Sequence, residues 1–186
     1  EDLLLQMIQL QEKVCMTFGR KRKTVAIGLY DFDKMTPPLT YKAVKPTECS
    51  FMPLEFKKEM TLKDILKTHP KGIEYGHLLE GFDKYPIIID SKDVIASMPP
   101  IINSQATGKV SENTKNLFVE VTGTNREEVH VALTIMAAAL ADRGGTIKSV
   151  TIDYGEKKFI TPNFTPKRIK VKFTDIERIV GMKLSL

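Results

Sequence analysis

The side chains best suited to bind a polar ligand lie between residues 97 and 124 of this 186-residue chain. Residues 117–123 alternate between apolar and polar types, which predicts a strand with one buried face. The buried face would hold Leu117, Val119 and Val121. The opposite face would present an aromatic ring, a carboxylate and a hydroxyl, from Phe118, Glu120 and Thr122. Such a row is either an ordinary solvent-exposed face or the wall of a polar site.

The segment before this strand favours a site. Residues 97–104, SMPPIINS, contain a Pro–Pro pair that cannot donate hydrogen bonds to a sheet, and Asn103 and Ser104 follow it. We interpret the segment as a rigid bend of the kind that lines pockets.

No standard catalytic signature accompanies these residues. GxSxG, HExxH, a Walker loop and GxGxxG after a strand are absent, so motifs do not support nucleophilic, zinc or nucleotide chemistry. His69, His77 and His130 are scattered along the chain, and we interpret each as structural. Cys15 and Cys49 have no metal-ligand spacing and are too few for a disulfide framework, which is typical of a reducing cytoplasm. We therefore expect no metal site.

Composition indicates one globular domain. Hydrophobic residues make up 42% and charged residues 27% of the chain, and its length is sufficient to bury a core without disulfides or metal. No apolar run approaches the length of a membrane span, and no secretory signal is present. We expect a cytoplasmic protein without a membrane partner.

The net charge of +5 is concentrated in two clusters. One is Arg20–Lys23, and the other consists of Lys167, Arg168, Lys170 and Lys172. Basic patches bind RNA phosphates without reading sequence, but a solvated surface explains both clusters equally well.

Periodicity predicts alternating helices and strands. Helices are expected over 1–18, over 61–68 with Thr61 as N-cap and Asp64 in the first turn, and over 126–143, and residues 71–86 are expected to be loop with a short helical turn. The expected strands are 24–30, 40–44, 85–90, 94–97, 146–154, 158–160 and 168–173. Together they predict an α+β fold: mixed, mostly antiparallel sheets with packed helices in a single compact domain.

The last residues form a separate feature. Thr174–Glu177 matches a capping box that would begin another helix. We expect residues 1–173 to form one domain and residues 174–186 to be the truncated start of a following module.

Several long segments, in this order, resemble the editing module of the phenylalanyl-tRNA synthetase β subunit in its archaeal and eukaryotic form. They are KTVAIGLYDFDK, KGIEYGHLLEG, YPIIIDS, SMPPIINS, NTKNLFVEVTGT and ALADRGGTIKSV. The resemblance covers residues 1–173 and implies a hydrolase domain that removes tyrosine wrongly joined to the tRNA for phenylalanine. An apolar pocket rejects an added hydroxyl by only about a hundredfold, so a second site that binds the hydroxyl is needed.

Carried over position by position, the resemblance implies a substrate-binding pocket formed by Ile88, Ser97, Pro99, Asn103, Glu120, Thr122 and Gly123. Glu120 would accept a hydrogen bond from the phenol of tyrosine, an interaction with a charged group worth about 1.5–3 kcal/mol. Pro99 and Asn103 would shape the wall, and Gly123 would let substrate approach the backbone. Phe118 is either a wall residue or a surface aromatic.

The catalytic group is left open, and we expect a water positioned by polar side chains, backbone amides and the terminal ribose hydroxyl. The resemblance further implies a catalytic α subunit, in a heterotetramer, as partner. ATP and magnesium would bind that subunit, and no cofactor would bind this chain. Two alternatives stay open: a non-catalytic tRNA-binding or subunit-assembly module of the same enzyme, and a free-standing editing or small-ligand protein.

Overall fold

The computed structural model describes residues 2–185. Its helices are α1 (Asp2–Met16), α2 (Leu62–Thr68), α3 (Pro70–Tyr75), α4 (Arg126–Ala141) and α5 (Phe173–Val180). Its strands are β1 (Val25–Asp31), β2 (Thr40–Val44), β3 (Ser50–Phe51), β4 (Met60–Thr61), β5 (Tyr85–Ile89), β6 (Ile95–Met98), β7 (Ile102–Asn103), β8 (Leu117–Gly123), β9 (Val150–Asp153) and β10 (Lys158–Thr161). Short 3₁₀ turns occupy Phe32–Lys34 and Gly76–Leu79.

The first structural layer is an antiparallel pair of strands, β1 and β8, covered on one face by α1 and α4. Because successive side chains of a strand point to opposite faces, every second residue of β1 and β8 faces the helices, and these residues are mostly β-branched or leucine. The cluster contains Met7 and Val14 of α1, Val25, Ile27 and Leu29 of β1, and Ala132 and Met136 of α4, with Val119 and Val121 of β8 packed against them. The predicted apolar face of residues 117–123 is therefore confirmed at Val119 and Val121.

The second layer is a four-stranded antiparallel sheet in the order β2–β5–β6–β7, packed against α2 and α3. Its core includes Ile87 and Ile89 of β5, Met98 of β6 and the helix residues Leu62 and Ile65. The pairing of β5 with β6 shifts register between Ile88 and Ile89. Such a bulge re-aims the side chains of the bulged strand.

A third cluster joins the two layers. Tyr30 of β1 packs with Met35, with Ile88 of β5 and with Ala96 of β6, all of them buried. Because one apolar interior therefore continues from one sheet to the other, the chain forms a single compact α+β domain. The predicted fold class is confirmed.

The helix predicted after Thr61 is confirmed, because the Thr61 hydroxyl accepts from the Asp64 backbone N–H at 3.1 Å. Residues 71–86 are more helical than predicted, because the expected short helical turn is the helix α3 followed by a 3₁₀ turn, and together they occupy the first half of the segment. Gly72, which resembles a loop residue in the sequence, lies where a Cβ atom would collide with the Ile65 carbonyl. This glycine therefore permits the close packing of α3 on α2.

The C-terminal predictions are partly wrong. The ribbon of β9 and β10 is confirmed, but residues 168–173 form no strand: Ile169 and Val171 are exposed and find no neighbouring strand among the described residues. The helix predicted to begin at Thr174–Glu177 is present as α5, but its capping box is wrong, because α5 begins at Phe173 after Lys172, which makes no side-chain cap bond. Alternating apolar and basic residues favour a strand only where another strand can pair with them.

None of the helices within residues 2–185 is long and apolar enough to cross a membrane.

Asp90 closes the turn between β5 and β6. Its Oδ1 accepts from the Lys92 and Val94 N–H groups at 2.9 Å each, and its Oδ2 accepts from Thr36 at 3.0 Å. Burial opposes ionisation, but these backbone donors outweigh it and hold the pKa of Asp90 below its ordinary value. A depressed pKa contributes stability above the unfolded-state pKa of about 3.9, and that stability is lost as the pH falls further.

We expect Asp90→Asn to lower the free energy of unfolding by about 1–3 kcal/mol at pH 7, because an amide cannot accept from all three donors. Urea denaturation at pH 7 and pH 3 measures the effect, and the difference from the unsubstituted chain should shrink at pH 3. The exposed neighbour Asp93 provides the control Asp93→Asn. Equal stability of Asp90→Asn and the unsubstituted chain at pH 7 would contradict the prediction.

Candidate functional site

Three of the predicted site residues form a row across the four-stranded sheet. Ile88 of β5 pairs with Ser97 of β6, and Ser97 pairs with Asn103 of β7. Residues paired across neighbouring strands place their side chains on the same face. The row therefore lies on the face of this sheet that is turned towards β1.

Two more predicted residues lie on the face of β8 opposite the α1–α4 cluster. Glu120 pairs with Gly28 and Thr122 pairs with Ala26, on the side opposite the α1–α4 cluster. This face is turned towards the row on the other sheet, so the candidate site lies at the junction of the two layers. The strand predicted from alternation places Glu120 and Thr122 together as expected.

Tyr30 connects the two sides of this junction. It is fully buried, and its phenol oxygen lies 2.8 Å from Ser97 Oγ and 3.1 Å from Glu120 Oε2. Its ring packs on Phe118, with the ring centroids 6.0 Å apart. Sequence reasoning did not select Tyr30, although its position two residues after Gly28 on β1 places both residues on the same face as Glu120.

Gly28 provides the space for this contact. A Cβ atom at Gly28 would lie 2.5 Å from the Tyr30 phenol oxygen and 2.7 Å from Glu120 Oε2. A glycine inside a strand often marks such a close approach. That rule was the available sequence signal for the junction.

Glu120 is the electrostatic centre of the site. Burial raises the pKa of its carboxyl to about 7, although the hydroxyls of Thr122 and Tyr30 act in the opposite direction. Oε2 is bonded to Tyr30, whereas Oε1 is buried and has no hydrogen-bond partner among the described residues. An unpartnered buried acceptor is the kind of group that a donor on a ligand would satisfy.

A cavity of about 470 Å³ lies at the junction, a size typical of small-molecule sites. Its lining includes four of the predicted residues, namely Pro99, Asn103, Glu120 and Thr122. Tyr30 and Gly28 also line it. Ile88 and Ser97 are buried behind this lining, with only 5% and 1% of their surface exposed. The structure thus brings most of the predicted set together around one cavity.

Asn103 and the Pro99–Pro100 wall are held by side-chain bonds to distant backbone. Asn103 Nδ2 donates to the Leu29 carbonyl of β1 at 3.1 Å. Arg22 Nη1 donates to the carbonyls of Pro100 at 3.0 Å and Ile101 at 2.9 Å. Sequence reasoning grouped Arg22 with a basic cluster and did not predict that it supports the cavity wall.

Gly123 is expected from the sequence to let substrate approach the backbone, and Phe118 to be either a wall residue or a surface aromatic. Gly123 lies at the exposed end of β8, outside the cavity lining, and a Cβ atom there would collide with the Thr24 carbonyl. The backbone that approaches this glycine is therefore that of its own chain. Phe118 is half-buried between the rings of Tyr30 and Phe32, which makes it a packing residue rather than a free surface aromatic.

Within residues 2–185, no group of three or more His, Cys, Asp or Glu side chains is placed to hold a metal ion. His69 lines the cavity, but its Nδ1 accepts from the Lys71 backbone N–H at 3.1 Å and so caps α3. The Ser97 hydroxyl is bonded to a phenol, not to an imidazole. The described residues therefore supply acceptors and hydroxyls that could bind and orient, without a serine–histidine pair.

The family of B3/4 domains matches residues 6–144 of the chain. The chain belongs to the B3/4 domain family. Over 185 residues this B3/4 domain is 52% identical to the phenylalanine–tRNA ligase beta subunit of Pyrococcus horikoshii and 43% identical to that of Archaeoglobus fulgidus. Each match covers 100% of the chain but 33% of the relative, so the chain spans about a third of the length of these curated relatives.

A solved structure agrees with the sequence relatives. The crystal structure of an N-terminal fragment of the phenylalanyl-tRNA synthetase beta subunit from Pyrococcus horikoshii superposes with a TM-score of 0.94 and 51% identity. The match covers 100% of the B3/4 chain and 53% of the solved one. The family resemblance seen in the sequence segments is therefore confirmed.

We expect the buried carboxyl of Glu120 to make this B3/4 domain less stable at alkaline pH. Because its folded pKa is raised, its contribution is fully present below the unfolded-state pKa and is lost as the pH rises through about 7. Glu120→Gln should therefore gain stability relative to the unsubstituted chain between pH 5 and pH 8, by up to roughly 3 kcal/mol. Urea denaturation across this range measures the difference, with the exposed Glu112→Gln as control. A difference that does not change with pH would refute the prediction.

Proposed function

We propose that this B3/4 domain is the proofreading domain of a phenylalanyl-tRNA synthetase β subunit. It would hydrolyse tyrosine that has been mischarged onto the tRNA for phenylalanine. The observation that carries the proposal is Glu120, a carboxylate in the wall of a 470 Å³ cavity with one oxygen bonded to the protein and the other without a partner among residues 2–185.

This arrangement suits the discrimination of tyrosine from phenylalanine. The phenol of tyrosine can donate to Glu120, whereas phenylalanine would leave the buried acceptor unpaired. A site that is built to bind a hydroxyl rejects the analogue without it by roughly 10⁴- to 10⁵-fold, far more than an apolar pocket rejects an added hydroxyl. Ser97 and Thr122 provide further hydroxyls near the carboxylate, and Pro99 and Asn103 bound the cavity.

Hydrolysis would proceed by a positioned water rather than by a covalent intermediate. The Ser97 hydroxyl is buried, and its side-chain partner among the described residues is the Tyr30 phenol rather than an imidazole or amine that could activate it as a nucleophile. A water held by polar side chains, backbone amides and the terminal ribose hydroxyl would attack the ester carbonyl, and orientation alone can contribute several kcal/mol. The tyrosine leaves as a free amino acid and the ribose oxygen takes the proton.

The proposal places this domain in a larger enzyme. Its relatives are phenylalanine–tRNA ligase beta subunits three times as long as the matched segment, which supports a catalytic α subunit as partner in a cytoplasmic heterotetramer. ATP and magnesium would bind the α subunit. Residues 174–186 as the beginning of a following module stay a prediction.

A subunit-assembly module is the second candidate function. Large apolar side chains are exposed throughout residues 147–182, and Ile169 and Ile179 each have 81% of their surface accessible. A surface of this kind favours contact with other protein. Assembly and editing are separable, because only editing requires selectivity for tyrosine.

The test of the editing proposal uses the intact α and β enzyme. We expect Glu120→Gln to slow deacylation of tyrosyl-tRNA by about 10- to 100-fold, since a hydrogen bond to a charged group is worth about 1.5–3 kcal/mol. Phenylalanine activation should be unchanged, and Glu112→Gln should behave as the unsubstituted enzyme. Undiminished deacylation by Glu120→Gln would exclude the assigned role, and absence of deacylation by the unsubstituted enzyme would favour the assembly module.

The tRNA would approach over the basic turn of residues 20–23. Arg20, Lys21 and Arg22 are consecutive non-glycine residues with positive φ angles of 48°, 57° and 64°. Such residues cost about 1–2 kcal/mol each, and backbone bonds to the end of α1 hold them in place. Arg22 attaches the turn to the cavity wall at Pro100, so the exposed Arg20 and Lys21 lie beside the cavity.

We expect Arg20→Ala combined with Lys21→Ala to raise the KM for mischarged tRNA in the intact enzyme while leaving kcat for deacylation unchanged. The slope of log KM against log salt concentration should fall by about 1.5 if both side chains contact phosphates. Lys157→Ala with Lys158→Ala, an exposed basic pair outside the cavity lining, is the matched control. An unchanged salt slope would show that the turn is a solvated surface.

A further inference from the structure

We propose that Tyr30 is the positioning residue that prepares Glu120 for the tyrosine side chain of the substrate. Its phenol occupies Glu120 Oε2 and so leaves Oε1 as the acceptor for the substrate phenol. The inference rests on the proposed editing function and adds to it the group that sets its specificity.

The surroundings of Tyr30 leave its ring little freedom. The residue has no exposed surface, and its ring packs among Met35, Ile88, Ala96 and Phe118. A ring held on all sides keeps its hydroxyl at one point in space. The carboxylate that binds to this hydroxyl is thereby held as well.

Hydrogen-bond chemistry assigns a direction to the contacts. An ionised carboxylate can only accept, so the single phenol proton of Tyr30 is donated to Glu120 Oε2 over 3.1 Å. The Ser97 hydroxyl, 2.8 Å from the phenol oxygen, must then be the donor to Tyr30. Ser97 has 1% exposure and does not line the cavity, so it would act on the carboxylate through Tyr30.

Fixing the carboxylate creates the selectivity. A glutamate that is free to move could turn towards solvent when phenylalanine is bound, and water would then replace the missing donor at little cost in free energy. A glutamate held by Tyr30 keeps Oε1 buried and unpaired unless the ligand brings a donor, so phenylalanine is penalised. Gly28 supports the same geometry because any larger residue would contact both Tyr30 and Glu120.

The pH dependence of tyrosine selectivity reports this contact. Three titratable groups interact electrostatically with the charge of Glu120: Tyr30, Tyr41 on β2 and Cys15 on α1. Burial raises the pKa of each of them above its ordinary value. They stay neutral near pH 7, where the carboxyl of Glu120 titrates. Loss of the Tyr30 donor should make the carboxyl harder to ionise and move the midpoint to higher pH. Any pH dependence that persists in Glu120→Gln belongs to other groups and is subtracted.

The experiment compares deacylation of tyrosyl- and phenylalanyl-tRNA by the intact synthetase between pH 5.5 and 9. We expect Tyr30→Phe to reduce the tyrosine preference by roughly tenfold and to raise the pH midpoint of that preference. Ser97→Ala, which leaves the aromatic packing intact, should raise the midpoint less. Met35 packs in the same cluster as the Tyr30 ring and forms no hydrogen bond with it, so Met35→Leu should leave the midpoint unchanged.

The outcomes separate this inference from the proposed function. If the unsubstituted enzyme prefers tyrosine and Glu120→Gln does not, but Tyr30→Phe keeps both the preference and the midpoint, editing stands and the role of Tyr30 is overturned. A uniform loss of kcat with an unmoved midpoint would assign Tyr30 to packing alone and also overturn it. If Tyr30→Phe fails to fold, an unmoved midpoint in Ser97→Ala decides against the proposal. No tyrosine preference in the unsubstituted enzyme would remove both proposals.

Discussion

The antiparallel register of β1 and β8 is the constraint on which the rest of the structure depends. It joins residues 86 to 98 positions apart in the chain, and it places Gly28 opposite Glu120. Because side chains alternate between faces, a shift by one residue would turn Glu120 into the α1–α4 core and expose Val119 or Val121. Burial of the apolar faces of both strands against α1 and α4 holds this register, so the hydrophobic core also positions the carboxylate.

The junction between the two layers creates an environment that neither layer has alone. Each sheet has an apolar core on its outer side, formed with α1 and α4 in one case and with α2 and α3 in the other. The faces that meet carry the apolar cluster around Tyr30 and, beside it, hydroxyls, an amide and a carboxylate. Removal of water from this junction raises the pKa of Glu120 to about 7 and strengthens every hydrogen bond made there. A charge held in this way lowers stability, and proteins tolerate such a group where function requires it.

Much of the cavity wall is held by contacts from elsewhere in the chain rather than by the loop itself. Arg22 bonds to the carbonyls of Pro100 and Ile101 and places its guanidinium 4.3 Å from the centre of the Tyr75 ring. Asn103 bonds to β1 in the same manner. Arg22 therefore links the basic turn of residues 20–23 both to the cavity wall and to the core of the four-stranded sheet, which contains Tyr75. A substrate that contacts the turn would contact a rigid extension of the cavity.

The sequence by itself determined the local elements and the chemical types in the site. Periodicity predicted α1, α4 and the alternation of β8, and capping chemistry predicted α2, because these signals act between neighbouring residues. The family resemblance selected Glu120 and the residues around it. Only the tertiary structure decided that α3 forms where Gly72 suggested a loop, that residues 168–173 lack a pairing partner, and that Gly123 faces its own chain. It alone revealed Tyr30 and Arg22 as parts of the site and identified the contact that Gly28 makes room for, because these roles arise from contacts between segments distant in the chain, which composition and spacing do not encode.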